Sequence, residues 1–246
     1  MESVRLGVLL PGGRPVGDGI HHAVRAPVAT LQGDVIAILK DVPAHELIIE
    51  TFCALLGRAL NLPIPEPLLV IDEARQALVA GSIDVGYPSL HQPVLTPYLP
   101  LLSALLAQWP ELVPAACFDE WIANPDRHGG NLLFDGHAFW LIDHGLAMRG
   151  QPTDATDNHL MAIAVAARTN DLARQRLKRE VLGYYRTYTE ETAMEIGQAL
   201  ASIDALNPVM MEIENSVRFL RQRLLSLTAM TTLRIRTSQG DLDYAD

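Results

Sequence analysis

Two stretches of the chain carry residue types suited to phosphoryl transfer. Residues 124–131 read Asn-Pro-Asp-Arg-His-Gly-Gly-Asn, and Asp143 follows twelve positions after Asn131 within Leu-Ile-Asp-His-Gly. A hydroxyl that attacks a γ-phosphate needs a carboxylate to orient it and accept its proton, and Mg²⁺ needs hard oxygen ligands beside the phosphates. Asp126 suits the first task, and Asn131 and Asp143 suit the second.

A lysine completes this chemistry. Seventeen of the nineteen basic residues are arginine, and the two lysines are Lys40 and Lys178. Lys40 ends the apolar, β-branched run 35–39, which predicts a buried strand. A compact ammonium on a flexible stem suits a pocket of phosphate oxygens. The alternative is a lysine that reaches from the strand end into water.

The next element must supply a counter-charge for that lysine. Residues 43–60 carry apolar side chains at helical spacing and predict an amphipathic helix. Glu46 and Glu50 lie one turn apart on its other face, so that either can turn toward Lys40. Two solvated helix glutamates are the alternative.

The motif Asp-Arg-His-x-x-Asn, followed by Ile-Asp-x-Gly, resembles the phosphatidylinositol-kinase-like branch of the protein-kinase superfamily. Within this branch, the bacterial HipA-like serine/threonine kinases are most similar in size. The resemblance implies an α+β, bilobal protein-kinase-like fold, with a strand-rich N-lobe over residues 1–85 and a helical C-lobe over residues 86–246. It also implies that ATP and Mg²⁺ bind between the lobes, and that the γ-phosphate passes to a serine or threonine of a protein substrate.

The same resemblance assigns further residues to the site. It favours Glu50, in the middle of its helix, as the partner of Lys40. Gly17 and Gly19 match part of a glycine-rich loop whose backbone amides approach the phosphates, although a plain turn explains them equally well. His128 either assists catalysis or braces the loop, and we favour bracing.

Weaker patterns outline the remaining elements. Residues 23–29 predict an edge strand, because Pro27 interrupts them. Residues 78–87 predict a link, which the resemblance to kinases places on the adenine side of the nucleotide. Asn207 and Pro208 predict the start of a long last helix that ends near Leu227.

Composition limits the class of protein. With 246 residues, 49% of them hydrophobic, the chain can bury a substantial core. Its net charge of −10 argues against direct binding to nucleic acid or to an anionic membrane. No apolar run approaches the about 18 residues of a membrane span, and we expect a cytoplasmic protein. Cys53 and Cys117 are expected to be core thiols. The sequence leaves the oligomeric state open.

Two other functions remain open. A nucleotide-binding pseudokinase would recognise a partner without transferring phosphate. A metal-dependent hydrolase would use imidazole and carboxylate ligands. The residues available for such a metal site are Asp126, His128, His137, Asp143 and His144.

The chain also departs from most protein kinases. His144 stands where they place phenylalanine, no Ala-Pro-Glu triplet follows, and about thirteen residues separate Asp143 from the helical pattern near Asp157. We therefore expect no regulation through a long activation loop. Residues 11–34 contain no serine, so self-restraint by serine phosphorylation near the glycine-rich loop is not expected either.

Overall fold

The computed structural model describes residues 4–16 and 23–237. Gly17 and Gly19, which the sequence predicts to lie against the phosphates, are outside the described residues.

Within residues 4–16 and 23–83, the N-terminal part forms a sheet of six strands. The strands are β1 (Arg5–Leu9), β2 (Arg14–Pro15), β3 (Val24–Thr30), β4 (Gly33–Lys40), β5 (Pro67–Asp72) and β6 (Ala77–Ile83). Their order is β1-β5-β6-β4-β3-β2, and β1 pairs in addition with β3. Five strands therefore close into a ring, and Lys40 lies at the end of a strand with neighbours on both sides.

The prediction of an edge strand at Pro27 is wrong. β3 pairs with β4 along its length, with β1 at Val28–Thr30, and with β2 at Val24 and Arg25. Pro27 lies in the gap between the pairings with β1 and β2, where no strand needs the N–H that proline lacks. Its carbonyl still accepts a hydrogen bond from the Leu10 N–H at 3.0 Å.

Helices dominate the rest of the described chain. They are α1 (Ala44–Ala59), α2 (Leu99–Ala107), α3 (Leu112–Trp121), α4 (His159–Ala166), α5 (Asp171–Tyr185), α6 (Glu190–Ala201), α7 (Met210–Leu224) and α8 (Leu227–Arg234). A short hairpin, β7 (Leu132–Phe134) and β8 (Phe139–Leu141), interrupts the helical part. The predicted α+β class, with a strand-rich part followed by a helical part, is confirmed.

Helix α1 joins the two parts through a shared core. Phe52 and Leu56 are fully buried and belong to the same apolar cluster as Phe118 and Trp121 of α3. α1 contacts β5 and β6 and also α6 and α7.

The sheet contributes Leu69 and Ala80 to this shared cluster, whereas Leu39 of β4 belongs to a second cluster within the sheet. Because β6 pairs with β4 and packs on α1, α1 links the end of β4 to the loop that follows α3. The division into two lobes at residue 85 stays a prediction.

Two local predictions need correction. Residues 78–83 are not part of a link but belong to β6, because they pair with both β4 and β5. The last long helix does not begin at Asn207, because Asp204–Val209 form a 3₁₀ helix that contains Pro208, and α7 follows it.

Within the described residues no single helix is both long and apolar enough to cross a membrane. Pro93–Ala107 and Leu112–Trp121 together reach the required length and composition, but the break between them is bent by 84°.

Candidate active site

Residues 124–131 form the loop between α3 and β7 that carries Asp126. The Asn124 side-chain oxygen accepts a hydrogen bond from the Asp126 backbone N–H at 3.1 Å. Asn131 Nδ2 donates to the Asp126 carbonyl oxygen at 2.7 Å and to carboxylate Oδ2 at 3.1 Å. The Asp126 carboxylate remains partly exposed. The loop thus holds the backbone of Asp126 and leaves its carboxylate accessible to an incoming hydroxyl.

A buried ion pair between Arg127 and Asp119 holds this loop in place. Arg127 and Asp119 are both fully buried and form two hydrogen bonds of 3.0 Å, from Nε to Oδ2 and from Nη2 to Oδ1. Arg127 Nη1 also donates to the carbonyls of Asn131, at 3.0 Å, and Ile142, at 2.6 Å. One guanidinium therefore ties the Asp126 loop to the residue before Asp143. Arg127 belongs to the motif, but its spacing alone does not reveal this role.

The two candidate metal ligands come from adjacent backbone segments. The Ile142 N–H donates to the Asn131 carbonyl at 3.2 Å, so Asp143 follows directly on a residue bonded to Asn131. Asp143 has φ of 61°, in the left-handed region, which turns the chain sharply after β8. Since Asn131 Nδ2 is engaged with Asp126, its amide oxygen is the atom left to bind a metal. An amide oxygen and a carboxylate are hard donors that fit Mg²⁺.

Lys40 meets Asp143 across the site. Lys40 Nζ lies 2.9 Å from Asp143 Oδ1, and both side chains are mostly buried. Burial alone would lower the pKa of Lys40, but the carboxylates of Glu50 and Asp143 outweigh it and raise the pKa above its ordinary value. Lys40 is therefore a fixed positive charge beside the candidate metal ligand.

Glu50 lies between Lys40 and the segment that follows Asp143. Its Oε2 accepts a hydrogen bond from the His144 backbone N–H. Burial alone would raise the pKa of Glu50, but the charge of Lys40 and the hydrogen bonding at His144 hold the pKa far below its ordinary value. Glu50 is thus an anion that stabilises the charge of Lys40 and positions the backbone after Asp143.

His128 is braced within the loop. Its Nδ1 accepts a hydrogen bond from the Gly130 N–H at 2.9 Å, which places the proton of a neutral ring on Nε2. Nε2 lies 3.6 Å from Asp126 Oδ2, beyond hydrogen-bond distance. His91 stacks on the ring, with 5.1 Å between centroids and 4° between planes. A Cβ at Gly130 would lie 2.6 Å from the His128 ring, so this packing needs glycine.

The segment between Asp143 and α4 is held by arginines from the C-terminal helices. Arg223 donates to the Pro152 carbonyl at 2.9 Å, and Arg234 donates to the Thr156 carbonyl. Both guanidinium groups pair with the buried carboxylate of Glu120 on α3. The two arginines therefore anchor the second half of the segment. It ends at α4, which begins at His159, two residues after the predicted position near Asp157.

The residues of the hydrolase alternative are not gathered in one cluster. Among residues 4–16 and 23–237, no group of three or more His, Cys, Asp or Glu side chains is placed to hold a metal ion. His137 lies in the turn of the β7–β8 hairpin, whereas the ring of His144 is buried edge-on against Phe118, 5.8 Å between centroids.

Comparison with known proteins places this arrangement in a kinase-like fold. No family model and no curated protein matches the chain. The structure is similar to that of the Helicobacter pylori proinflammatory kinase CtkA, with a TM-score of 0.54 and 13% identity, covering 92% of this chain and 96% of that one. It is also similar to the structure of hydra Fam20 with sugar, with a TM-score of 0.50 and 12% identity, covering 95% and 86%. The resemblance to a kinase-like fold is confirmed, whereas its HipA-like part stays a prediction.

Proposed function

We propose that this protein is a kinase that uses ATP and Mg²⁺ to phosphorylate a serine or threonine hydroxyl of another protein. The observation that carries the proposal is the 2.9 Å contact of Lys40 with Asp143. It joins a strand-end cation to a carboxylate that lies next to the Asp126 loop. Phosphoryl transfer needs a phosphate-binding cation, hard metal ligands and a carboxylate for the hydroxyl in one place, and these residues meet that need.

The residues have distinct roles in the proposed reaction. Asp126 orients the acceptor hydroxyl and takes its proton as the oxygen bonds to the γ-phosphorus. The bond from the γ-phosphorus to the bridging oxygen breaks, and ADP leaves with that electron pair. Lys40 binds phosphate oxygens and releases Asp143, which with Asn131 would hold Mg²⁺. When bound there, the metal would supply positive charge to the phosphate oxygens.

The proposed acceptor is a protein, in the cytoplasm, rather than a nucleic acid or a lipid. With a net charge of −10, the chain lacks the excess of positive charge with which proteins usually bind nucleic acids and anionic bilayers. The HipA-like resemblance supports a serine or threonine over other hydroxyls. A second candidate is a nucleotide-binding pseudokinase, which the mutual engagement of Lys40 and Asp143 also fits.

The first experiment tests nucleotide binding. ATP should raise the melting temperature only when Mg²⁺ is present, because a ligand of the folded state stabilises it. Lys40→Ala and Asp143→Ala should lose most of this shift, whereas Lys178→Ala, which removes the other lysine, should keep it. An equal shift in all four proteins would contradict the assignment.

The second experiment separates catalysis from binding. Asp126→Asn removes the proton acceptor but leaves Asn131 and Asp143, so transfer of labelled phosphate to lysate proteins should fall by about a hundredfold with ATP binding intact. Asp157→Asn, at an exposed position outside the site, is the matched control. Transfer at the wild-type rate in Asp126→Asn would contradict the assignment of Asp126 as the base. Absence of transfer by the wild type, with Mg-ATP bound, would favour the pseudokinase.

A further inference from the structure

A long uncharged stretch precedes the Asp126 loop in the chain. Residues 85–110 contain no Asp, Glu, Lys or Arg, although 20% of the chain is charged. At that fraction, 26 positions would carry about five charges. A stretch of this composition is expected in a core, but much of this one is at the surface.

Six large apolar side chains of this stretch face solvent. Tyr87 stands apart from the others in the chain; the remaining five lie between residues 94 and 105, and we call these five the apolar strip. Val94, Tyr98 and Leu101 keep 64, 57 and 59% of their surface exposed, and Leu99 and Leu105 keep 38 and 39%. They lie on the 3₁₀ helix Pro93–Tyr98 and on α2, which follows it without a break. Tyr98, Leu101 and Leu105, spaced by three and four residues, lie on one side of the helix. The strip is a concentrated apolar surface of the kind that marks interaction sites.

The strip is attached to the candidate active site. The Leu90 N–H lies 3.2 Å from the Gly129 carbonyl and 3.0 Å from the Leu132 carbonyl, and the next residue, His91, stacks on His128. The 3₁₀ helix that opens the strip begins two residues after His91, so roughly 7 Å of chain separates it from that stack. A molecule bound along the strip therefore lies beside the Asp126 loop.

The size of the strip favours a short segment over a second copy of the chain. With about 100 Å² for an aliphatic and about 200 Å² for an aromatic side chain, the five exposed fractions sum to roughly 300 Å². A stable protein interface buries about 800 Å² on each partner. The strip supplies less than half of this area but enough to hold a few side chains of one extended segment.

We propose that the apolar strip docks an uncharged, apolar segment of the acceptor protein, close in sequence to the hydroxyl that is phosphorylated. The proposal rests on the kinase function proposed above. The chemistry of the segment follows from the strip, because burying a charged side chain against a surface without a counter-charge is strongly unfavourable. The strip thus selects acceptors by an apolar flank.

Peptides test this proposal directly. An array of peptides of about 12 residues, long enough to reach from the strip to Asp126, carries a central serine with either apolar or charged flanks on each side. A second array has alanine in place of that serine, so that binding is measured without transfer. The proteins compared are the wild type, Leu101→Glu, Tyr98→Ser, Asp126→Asn and Leu172→Glu. Leu172 lies on α5 with 55% of its surface exposed and is the matched control.

The expected result is that the wild type binds apolar-flanked peptides at least about tenfold more tightly than charged ones. Leu101→Glu and Tyr98→Ser should lose this preference, and Asp126→Asn and Leu172→Glu should keep it. Leu101 is exposed in the first turn of α2, where a glutamate stabilises the helix, so Leu101→Glu is expected to fold. A melting temperature equal to that of the wild type checks that Leu101→Glu and Tyr98→Ser are folded.

Other outcomes identify which proposal fails. Equal binding by all variants, or no binding preference in the wild type, would overturn the docking proposal even if the serine peptides are phosphorylated. Two other results would also overturn the docking proposal, provided that the wild type binds no peptide. A dimer that is lost in Leu101→Glu would assign the strip to a second copy of the chain. Binding to phosphatidylcholine vesicles that is lost in Leu101→Glu would assign the strip to lipid. Leu101-dependent binding without transfer to serine would support the strip as a binding surface for apolar segments but overturn the kinase function, and with it the statement that the bound segment belongs to a phosphate acceptor.

Discussion

Arg127 makes the strongest prediction about how the site is held together. Its guanidinium is fully buried, pairs with Asp119 through two hydrogen bonds, and donates to the carbonyls of Asn131 and Ile142. Arg127→Met retains much of the side-chain volume but removes every donor. We expect the variant to lose both stability and phosphotransfer.

The expected loss of stability is about 4–6 kcal/mol. Removing one member of a buried ion pair is destabilising by about 3–5 kcal/mol, because the other charge stays buried. In the variant, Asn124 Nδ2 still donates to Asp119 Oδ1, at 3.2 Å in the wild type. Because the buried carboxylate keeps this hydrogen bond, we take the lower end of that range of destabilisation, about 3 kcal/mol. The two lost hydrogen bonds to carbonyls add about 1 kcal/mol each. For a chain of this size, such a loss lowers the melting temperature by about 10–20 °C.

Urea unfolding monitored by circular dichroism measures this loss, and a double variant tests its cause. Asp119→Asn with Arg127→Met removes the unpaired buried charge but keeps an amide oxygen for Asn124. It should recover about 2 kcal/mol relative to Arg127→Met. Phosphotransfer should remain low in the double variant, because no donor then holds the carbonyls of Asn131 and Ile142. Arg127→Lys, which retains the charge without the planar fork, should fall between the wild type and Arg127→Met.

Three results would refute this reasoning. A loss below about 1 kcal/mol in Arg127→Met would show that the pair contributes as little as a surface ion pair does. A double variant no more stable than the single one would show that the buried charge is not the cause. Full phosphotransfer in the double variant would show that the carbonyl contacts do not position the metal ligands.

Three further predictions concern other parts of the structure. Because folding lowers the pKa of Glu50, its ionisation adds stability that is present above the unfolded pKa, near 4.5, and is lost progressively as the pH falls below that value. The difference in melting temperature between the wild type and Glu50→Gln should therefore shrink below about pH 4.5. A difference that stays constant with pH would contradict this prediction. Gly145→Ala should lower the free energy of unfolding by about 1–3 kcal/mol, because the new Cβ would lie 2.6 Å from a side-chain carbon of α1. Gly183→Ala should leave the free energy of unfolding unchanged or raise it, because Gly183 lies within helix α5 and a Cβ there would meet no other atom within 4 Å. Burial raises the pKa of the thiols of Cys53 and Cys117, so neither should react with a disulfide reagent at pH 8 until urea unfolds the protein, and reaction in the folded state would argue against their burial.

Elements with a strong local pattern could be predicted from the sequence. The run before Lys40 forms β4, and residues 43–60 contain α1 with one residue trimmed from each end. Both patterns reflect burial of one face, which the spacing of apolar residues reports directly. The pattern is less informative where strand pairing determines whether a strand lies at the edge or inside the sheet. At Pro27, for example, the spacing of apolar residues does not show which strands lie beside the residue.

Contacts between distant residues could not be predicted in this way. Glu120 lies 103 positions from Arg223 and 114 from Arg234, yet the three form one buried cluster that holds the segment after Asp143. No local spacing encodes such a pair, since it depends on how α3, α7 and α8 pack. Arg127 and Asp119 are only eight positions apart, but the loop between them has no regular period that would align them.

His144 shows where a motif and the packing around it give different information. As a departure from phenylalanine, it suggests a polar or metal-binding role, but its ring is buried against Phe118, and among the described residues neither ring nitrogen has a hydrogen-bond partner. The ring nitrogen nearest Glu50 is 3.9 Å from its carboxylate, too far for a hydrogen bond. The contact that reaches Glu50 comes instead from the backbone N–H, which any residue at this position except proline supplies. His144 therefore contacts Glu50 through its backbone N–H and packs against Phe118 of α3 through its ring, so the two contacts that tie this residue to α1 and α3 are not the ones that the motif suggests.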